Sequence, residues 1–210
     1  MSGGSTGLPK LIPRFHAEYL GSARTICARW ELTPDDKTLW TLPLIHNAGT
    51  LIAVLPMAIE GRTTIVMPRF DAREFLETAA RRGVTFSGSI GPVAPRLLEF
   101  EGVKQFDLSR FRQFFALNRA DATEAHLGVT TTNMYGITEG LLMGSGPSDV
   151  AEARFGSVGW PASKGDEVRL LEPGTEREVD PGEVGELCFR GPHVLTGYFG
   201  DAAATEASFT

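Results

Sequence analysis

Apolar positions recur at helical spacing from about Phe15 to Trp30 (Tyr19, Leu20, Ala23, Ile26, Cys27, Trp30) and predict a helix there. The polar run Thr33-Pro34-Asp35-Asp36 closes it as a turn. Thr38 to Leu44 predicts a strand, and His46 to Ile59 a buried helix with Gly61 as its stop. The β-branched stretch Thr63 to Met67 predicts a second strand. Asp71, with Glu74 three residues on, has the pattern of an N-cap and its capping box. The helix it opens ends at Arg81-Arg82-Gly83, where cations meet the negative end of the helix dipole and a glycine follows. Val84 to Ser89 predicts another short strand. Strands alternating with helices imply βαβ units and a largely parallel sheet.

The character changes near Gly144-Ser145-Gly146-Pro147. Beyond it, Asp166–Leu171 and Gly185–Arg190 predict short strands around the turn-rich Glu172–Gly182, with no helix expected before the tail. The expected fold is therefore α/β. A mostly parallel sheet with flanking helices occupies residues 1–145, and a small β-rich subdomain resembling a distorted barrel occupies 146–210.

Composition narrows the functional classes. The 210 residues are 42% apolar and 22% charged, as expected of a soluble globular chain. A net charge of -6 leaves no basic patch to dominate the field, which speaks against a nucleic-acid partner. The longest apolar run, Leu51 to Ile59, contains Pro56 and is too short to span a bilayer, so no membrane partner is expected. No secretory signal pattern opens the chain. Cys27 and Cys188 form no CxxC pair, which excludes a disulfide framework or zinc knuckle and points to the cytoplasm. His16, His46, His126 and His193 show no metal-binding spacing.

Three segments can carry chemistry. In Ser2-Gly3-Gly4-Ser5-Thr6-Gly7-Leu8-Pro9-Lys10, glycines let backbone N–H groups converge on an anion, hydroxyls add donors, and Lys10 supplies a mobile cation for a polyphosphate. This is not a Walker A loop, because Leu8-Pro9 separate glycine from lysine and Leu11 follows. A tag remnant or flexible linker has the same composition. In Tyr135-Gly136-Ile137-Thr138-Glu139-Gly140, the ring can stack on a base, the hydroxyl can meet a phosphate and the carboxylate can hold Mg²⁺. The alternative is a tyrosine packed at a strand end with Glu139 in solvent. Glu186–Arg190, within Gly185 to Pro192, alternates as a half-buried strand and reads first as a structural barrel strand, even in an enzyme.

Taken together and in order, SGGSTGLPK, MYGITEG, GSVGWP and GELCFRGPHVLTGYF resemble the adenylate-forming enzymes: acyl- and aryl-CoA ligases, nonribosomal peptide adenylation domains and luciferases. The longer run SGGSTGLPKLIPR, continued by His16, Leu42-Pro43 and His46-Asn47, is most similar to stand-alone ligases that activate 2,3-dihydroxybenzoate or salicylate for siderophore assembly. The resemblance implies that Ser2 to Lys10 hold the β- and γ-phosphates of ATP. It implies that Tyr135 stacks on adenine beside Gly136, Thr138 meets the α-phosphate and Glu139 binds Mg²⁺. His46 would sit where carboxylate and phosphate are joined, and Asn47 would bond an ortho substituent of an aryl acid. The product, an acyl-adenylate, would pass to the phosphopantetheine of a carrier protein or to CoA.

The sequence departs from that family in three ways. The family carries an α/β segment before the phosphate loop. It also carries, after the equivalent of Phe209-Thr210, an aspartate for the ribose and a mobile domain with a catalytic lysine. Finally, Phe115-Ala116-Leu117-Asn118-Arg119-Ala120 stands where aryl-acid enzymes show a Gly-Gly-Ala segment, so Asn118 and Arg119 are expected to narrow the acid pocket or bring a cation to it. The expectation is a central piece of such an enzyme, incomplete alone, whose truncated sheet favours self-association or a complementary chain. A catalytically incompetent ATP- or acyl-binding module of the same fold is the alternative.

Overall fold

Successive side chains on a strand point to opposite faces. In β1 (Lys37–Trp40) this sends Leu39 into one core and Trp40 into the other. β4 (Gln113–Ala116) repeats the arrangement with Phe114 and Phe115. A parallel sheet demands such two-sided burial, because its crossover connections lay helices over both faces. The structure, a computed structural model, describes residues 9–209.

Seven strands lie in the order β2 (Thr63–Val66), β1, β3 (Phe86–Gly88), β4, β5 (Thr130–Gly136), β6 (Leu142–Gly144) and β7 (Trp160–Pro161). The pairings from β2 to β5 are parallel, and β6 and β7 extend the sheet antiparallel. A separate antiparallel pair, β8 (Glu167–Leu171) and β9 (Glu186–Arg190), forms the small second sheet. The α/β architecture expected from the sequence is therefore observed. The main sheet runs on to β7, past the change in composition at Gly144–Pro147.

Helix α1 (His16–Arg29) and the helical stretch 47–60 cover one face, through Ala23, Ile26, Leu51 and Ile52. Helices α4 (Ala72–Arg82), α5 (Val93–Leu98) and α6 (Ala120–Leu127) cover the other, through Phe75, Leu76, Val93, Leu97 and Leu127. The cap of α4 is as predicted: the Glu74 N–H donates to Asp71 Oδ1 at 2.9 Å, and Gly83 ends the helix at φ 61°, where a glycine is least strained. Among the described residues, no helix is long and apolar enough to cross a membrane.

Several elements differ from the sequence reading. The single helix expected over 46–59 is divided into α2 (Asn47–Gly49), a π-helical turn Thr50–Val54 and α3 (Leu55–Glu60). The wide turn precedes Pro56, which has no N–H to donate and whose ring would crowd the carbonyl four residues back. β1 stops at Trp40 rather than Leu44. α5, β4 and α6 fill a region where hydrophobic periodicity showed no element. A further helix, α7 (Ala151–Gly156), appears where none was expected before the tail helix α8 (Ala202–Glu206). α7 is held from outside: the buried Arg154 guanidinium donates to the Thr131 carbonyl at 2.8 Å and pairs with Glu124 of α6.

Phe115 is fully buried, stacked on Trp30 with ring centroids 4.9 Å apart and flanked by Phe86 and Trp40. Phe115→Ala is expected to cost about 3–5 kcal/mol in urea unfolding. Val184→Ala, at a side chain 96% exposed, is expected to stay within about 0.5 kcal/mol. Equal effects would contradict the placement of the core.

Asp36 closes the turn before β1. It accepts from Arg112 at 2.7 and 3.1 Å, from the Thr85 hydroxyl at 2.6 Å and from the Thr33 N–H at 2.7 Å. Burial pushes this carboxyl up, but the Arg112 guanidinium, the Thr85 hydroxyl and the Thr33 amide outweigh it and hold it below its ordinary range. A depressed folded-state value means that the stabilisation is present above the unfolded pKa and is lost as pH falls through the folded one. Urea midpoints taken from about pH 6 to about pH 3 should therefore fall more steeply for the unaltered chain than for Asp36→Asn.

Candidate functional site

In an open α/β sheet the ligand crevice lies outside the carboxyl ends of the parallel strands. Because β1, β3, β4 and β5 are neighbours and run the same way, the segments leaving them converge. They enclose a cavity of about 550 Å³. His46, Asn47, Ala48, Leu51 and Ile52 come from the segment after β1, Ile90 from that after β3, and Leu117 from that after β4. Gly136, Ile137, Thr138 and Glu139 come from the end of β5 and its turn into β6, and Lys10 from the N-terminal segment. Among the described residues the walls are mostly apolar, and the polar groups are one cation, one carboxylate, a hydroxyl, an imidazole and an amide. That composition suits a bound organic molecule with a charged end.

Lys10 and the Thr138–Glu139 corner thus face a common cleft, although 128 positions separate Lys10 from Thr138 (138 − 10). The corner is tightly built. The Ile137 N–H donates to the Leu141 carbonyl at 3.1 Å, and the Gly140 N–H to that of Ile137 at 3.2 Å. Gly140 has φ 129°, and a Cβ there would lie 2.1 Å from the His193 carbonyl oxygen, so only glycine fits. Arg14 braces the corner from α1's approach, its Nη1 donating to the Thr138 carbonyl at 3.1 Å.

His46 is the N-cap of α2, and its Nδ1 accepts from the Ala48 N–H at 3.2 Å. In the neutral ring this leaves the proton on Nε2, so the free edge of an exposed imidazole at the cavity is a donor. Asn47 begins the helix behind it. Tyr135 lies half-buried in β5, paired with Met143 across the hairpin, and is not among the lining residues. Burial, followed by the Glu139 charge, pushes its phenol above the ordinary range. Asn118 and Arg119 are exposed just beyond β4 and do not line the cavity; Leu117 beside them does. Arg119 starts α6 in the left-handed conformation, φ 56°. Ser2, Gly3, Gly4, Ser5, Thr6 and Gly7 lie outside the described residues.

Two residues at the site carried no role in the sequence reading. One is Arg14. The other is Tyr198, whose hydroxyl donates to Glu139 Oε1 at 3.1 Å and whose ring lies 4.4 Å from Lys10 Nζ. Both sit inside segments that carried the family resemblance, LPKLIPR and TGYF, but residue type alone marks neither as a site residue.

Known proteins of similar sequence and fold identify the family. The family model of AMP-binding enzymes matches residues 2–199. Pyochelin synthase PchD of Pseudomonas aeruginosa is 34% identical over 95% of this chain and 38% of its own length. The salicyl-AMP ligase / salicyl-S-ArCP synthetase of Mycobacterium tuberculosis is 32% identical over 100% of this chain and 38% of its own. Among solved structures, ATP-bound MatB from Rhodopseudomonas palustris superposes with a TM-score of 0.85 at 26% identity, covering 99% of this chain and 42% of that one. The chain belongs to the AMP-binding, adenylate-forming enzyme family. It spans about two-fifths of the length of the curated relatives it matches.

The Leu195 N–H donates to the Glu139 carbonyl at 2.8 Å, beside the Gly140–His193 contact. Gly140→Ala should part these two segments. The expected readout is faster amide hydrogen exchange at Leu195, with the amides of β3 and β4 keeping their protection. Unchanged exchange at Leu195 would show that the contact is not needed.

Proposed function

We propose that this chain carries the nucleotide- and acid-binding core of a ligase that activates a carboxylic acid, preferentially an aryl acid, with ATP. A carboxylate oxygen attacks the α-phosphorus, the bond to the β-phosphate breaks, and acyl-AMP and pyrophosphate form. The acyl group then passes to a thiol, either the phosphopantetheine of a carrier protein or CoA. The observation that carries this reading is the meeting of Lys10, His46–Asn47 and Thr138–Glu139 around one cavity. The relatedness to a salicyl-AMP ligase supports the aryl acid and the carrier-bound thiol.

In this reading Ser2 to Lys10 cradle the β- and γ-phosphates, with Lys10 as the point charge. Tyr135 stacks on the adenine beside Gly136, and Thr138 donates to the α-phosphate. The Nε2–H of His46 offers a donor to the oxygens being joined, where negative charge is densest, and the start of the helix behind it adds N–H groups. Asn47 bonds an ortho substituent of the acid, and Leu117, rather than Asn118 or Arg119, supplies the wall after β4. Among the described residues no group of three His, Cys, Asp or Glu forms a metal cage. A single carboxylate at a phosphate site is nevertheless the donor set Mg²⁺ uses when phosphates and waters complete its shell, so Glu139 fits that role. Bound there, the ion would neutralise phosphate charge.

The test is calorimetric binding of Mg·ATP and of AMP, followed by pyrophosphate exchange with salicylate. ATP should bind, and Lys10→Ala should weaken it by about tenfold or more while leaving AMP nearly unchanged, since only the β- and γ-phosphates meet that charge. Glu139→Ala should lower any exchange rate by about 10²–10³. Failure of the unaltered chain to bind ATP would overturn the reading. Binding without exchange would favour a nucleotide- or acyl-binding module.

A further inference from the structure

Lys10 and Glu139 are opposite charges on one cavity, yet each meets Tyr198 rather than the other. The segment 191–199 that carries this tyrosine is fastened across the corner. The Leu195 N–H donates to the Glu139 carbonyl and the Phe199 N–H to the Leu11 carbonyl, both at 2.8 Å. The Tyr198 N–H donates to the Thr205 hydroxyl at 2.9 Å, which in turn donates to the Asp201 carbonyl at 2.8 Å. The tyrosine backbone is therefore tied to the N-terminal segment on one side and to α8 on the other.

We propose that Tyr198 is a positioning residue. Its hydroxyl orients the Glu139 carboxylate, and its ring holds the Lys10 ammonium away from that carboxylate, so that the two charges stay available to a metal-bound polyphosphate instead of closing on each other. This rests on the functional reading above. Physical chemistry supports it in two ways. A cation over the face of a phenol ring is attracted weakly enough to leave for a phosphate, whereas a half-buried ammonium–carboxylate pair is harder to break. The hydroxyl occupies one carboxylate oxygen, Oε1, and leaves Oε2 for a cation or its water.

Two variants separate the two contacts. Tyr198→Phe keeps the ring under Lys10 and removes only the hydroxyl; Tyr198→Leu removes both. ATP and AMP binding to the full chain is measured by calorimetry with and without Mg²⁺. For Tyr198→Phe, the gain in ATP affinity on adding Mg²⁺ should shrink by about tenfold, the scale of one hydrogen bond to a charged group, while metal-free AMP binding is unchanged. For Tyr198→Leu, metal-free ATP binding should fall as well, because Lys10 is then drawn to Glu139, with AMP binding again retained. A purely structural tyrosine would lower ATP and AMP binding together, and that result overturns the inference. So does a Tyr198→Phe chain with its Mg²⁺ gain intact, a readout that does not need the leucine variant to fold. If the unaltered chain binds neither nucleotide, the functional reading fails and takes this inference with it. If it binds both and only the variants behave as wild type, this inference alone fails.

Discussion

Two-sided burial of a short parallel sheet is the constraint on which the rest of the structure depends. The parallel strands have few residues each, so each must place large side chains on both faces to hold the helices above and below. Leu39 with Trp40, and Phe114 with Phe115, do this in consecutive positions. The stack of Trp30 on Phe115 at 4.9 Å joins α1 to the sheet centre. Because α1 is reached directly from the Lys10 segment, the same packing that anchors the helix delivers the cation to the cavity.

Charged networks finish what apolar packing begins. Asp36 gathers Arg112, Thr85 and Thr33 at the amino ends of β1 and β3, away from the cavity, and Arg154 gathers Glu124 and Thr131 behind β5. In both, a buried or half-buried charge is met by several partners, which is the condition under which burying it is tolerable. They fasten the amino ends of β1, β3, β4 and β5 and leave the carboxyl ends of these strands to the cavity. Gln113 is one of several exceptions: it is fully buried, and neither side-chain polar atom has a partner among the described residues. Nothing in the structure explains it.

At the carboxyl ends, backbone geometry and electrostatics serve one purpose. Gly140 lets the chain at His193 approach within a distance no side chain would permit, and that approach brings Tyr198 to Glu139 and Lys10. Arg14 also holds this corner, through the Thr138 carbonyl. The Thr138–Glu139 corner of the cavity is thus presented by backbone held by both the Arg14 guanidinium and the 191–199 segment, which limits the reorganisation available to it. Membership of the adenylate-forming family gives that arrangement its chemical context.

The helix α4, its Asp71 cap and its Gly83 stop were legible in the sequence, because caps and periodicity are local and act through neighbouring residues. So were the alternating strand–helix order and the strands β8 and β9; of the residues singled out for chemistry, Lys10, His46, Asn47, Gly136, Thr138 and Glu139 lie on one cavity. α5, α6 and α7 were not: α5 contains Pro95, α6 is alanine-rich without a clear stripe, and α7 depends on Arg154 reaching Glu124 and Thr131. Those helices are stabilised by packing and ion pairs that do not exist in the isolated segments. The meeting of Lys10 with Glu139 across a tyrosine from the far end of the chain was likewise beyond any local pattern. It required the parallel order of β1, β3, β4 and β5 to bring their ends together and the strap at 191–199 to cross them, and both are decided only when the whole sheet is buried.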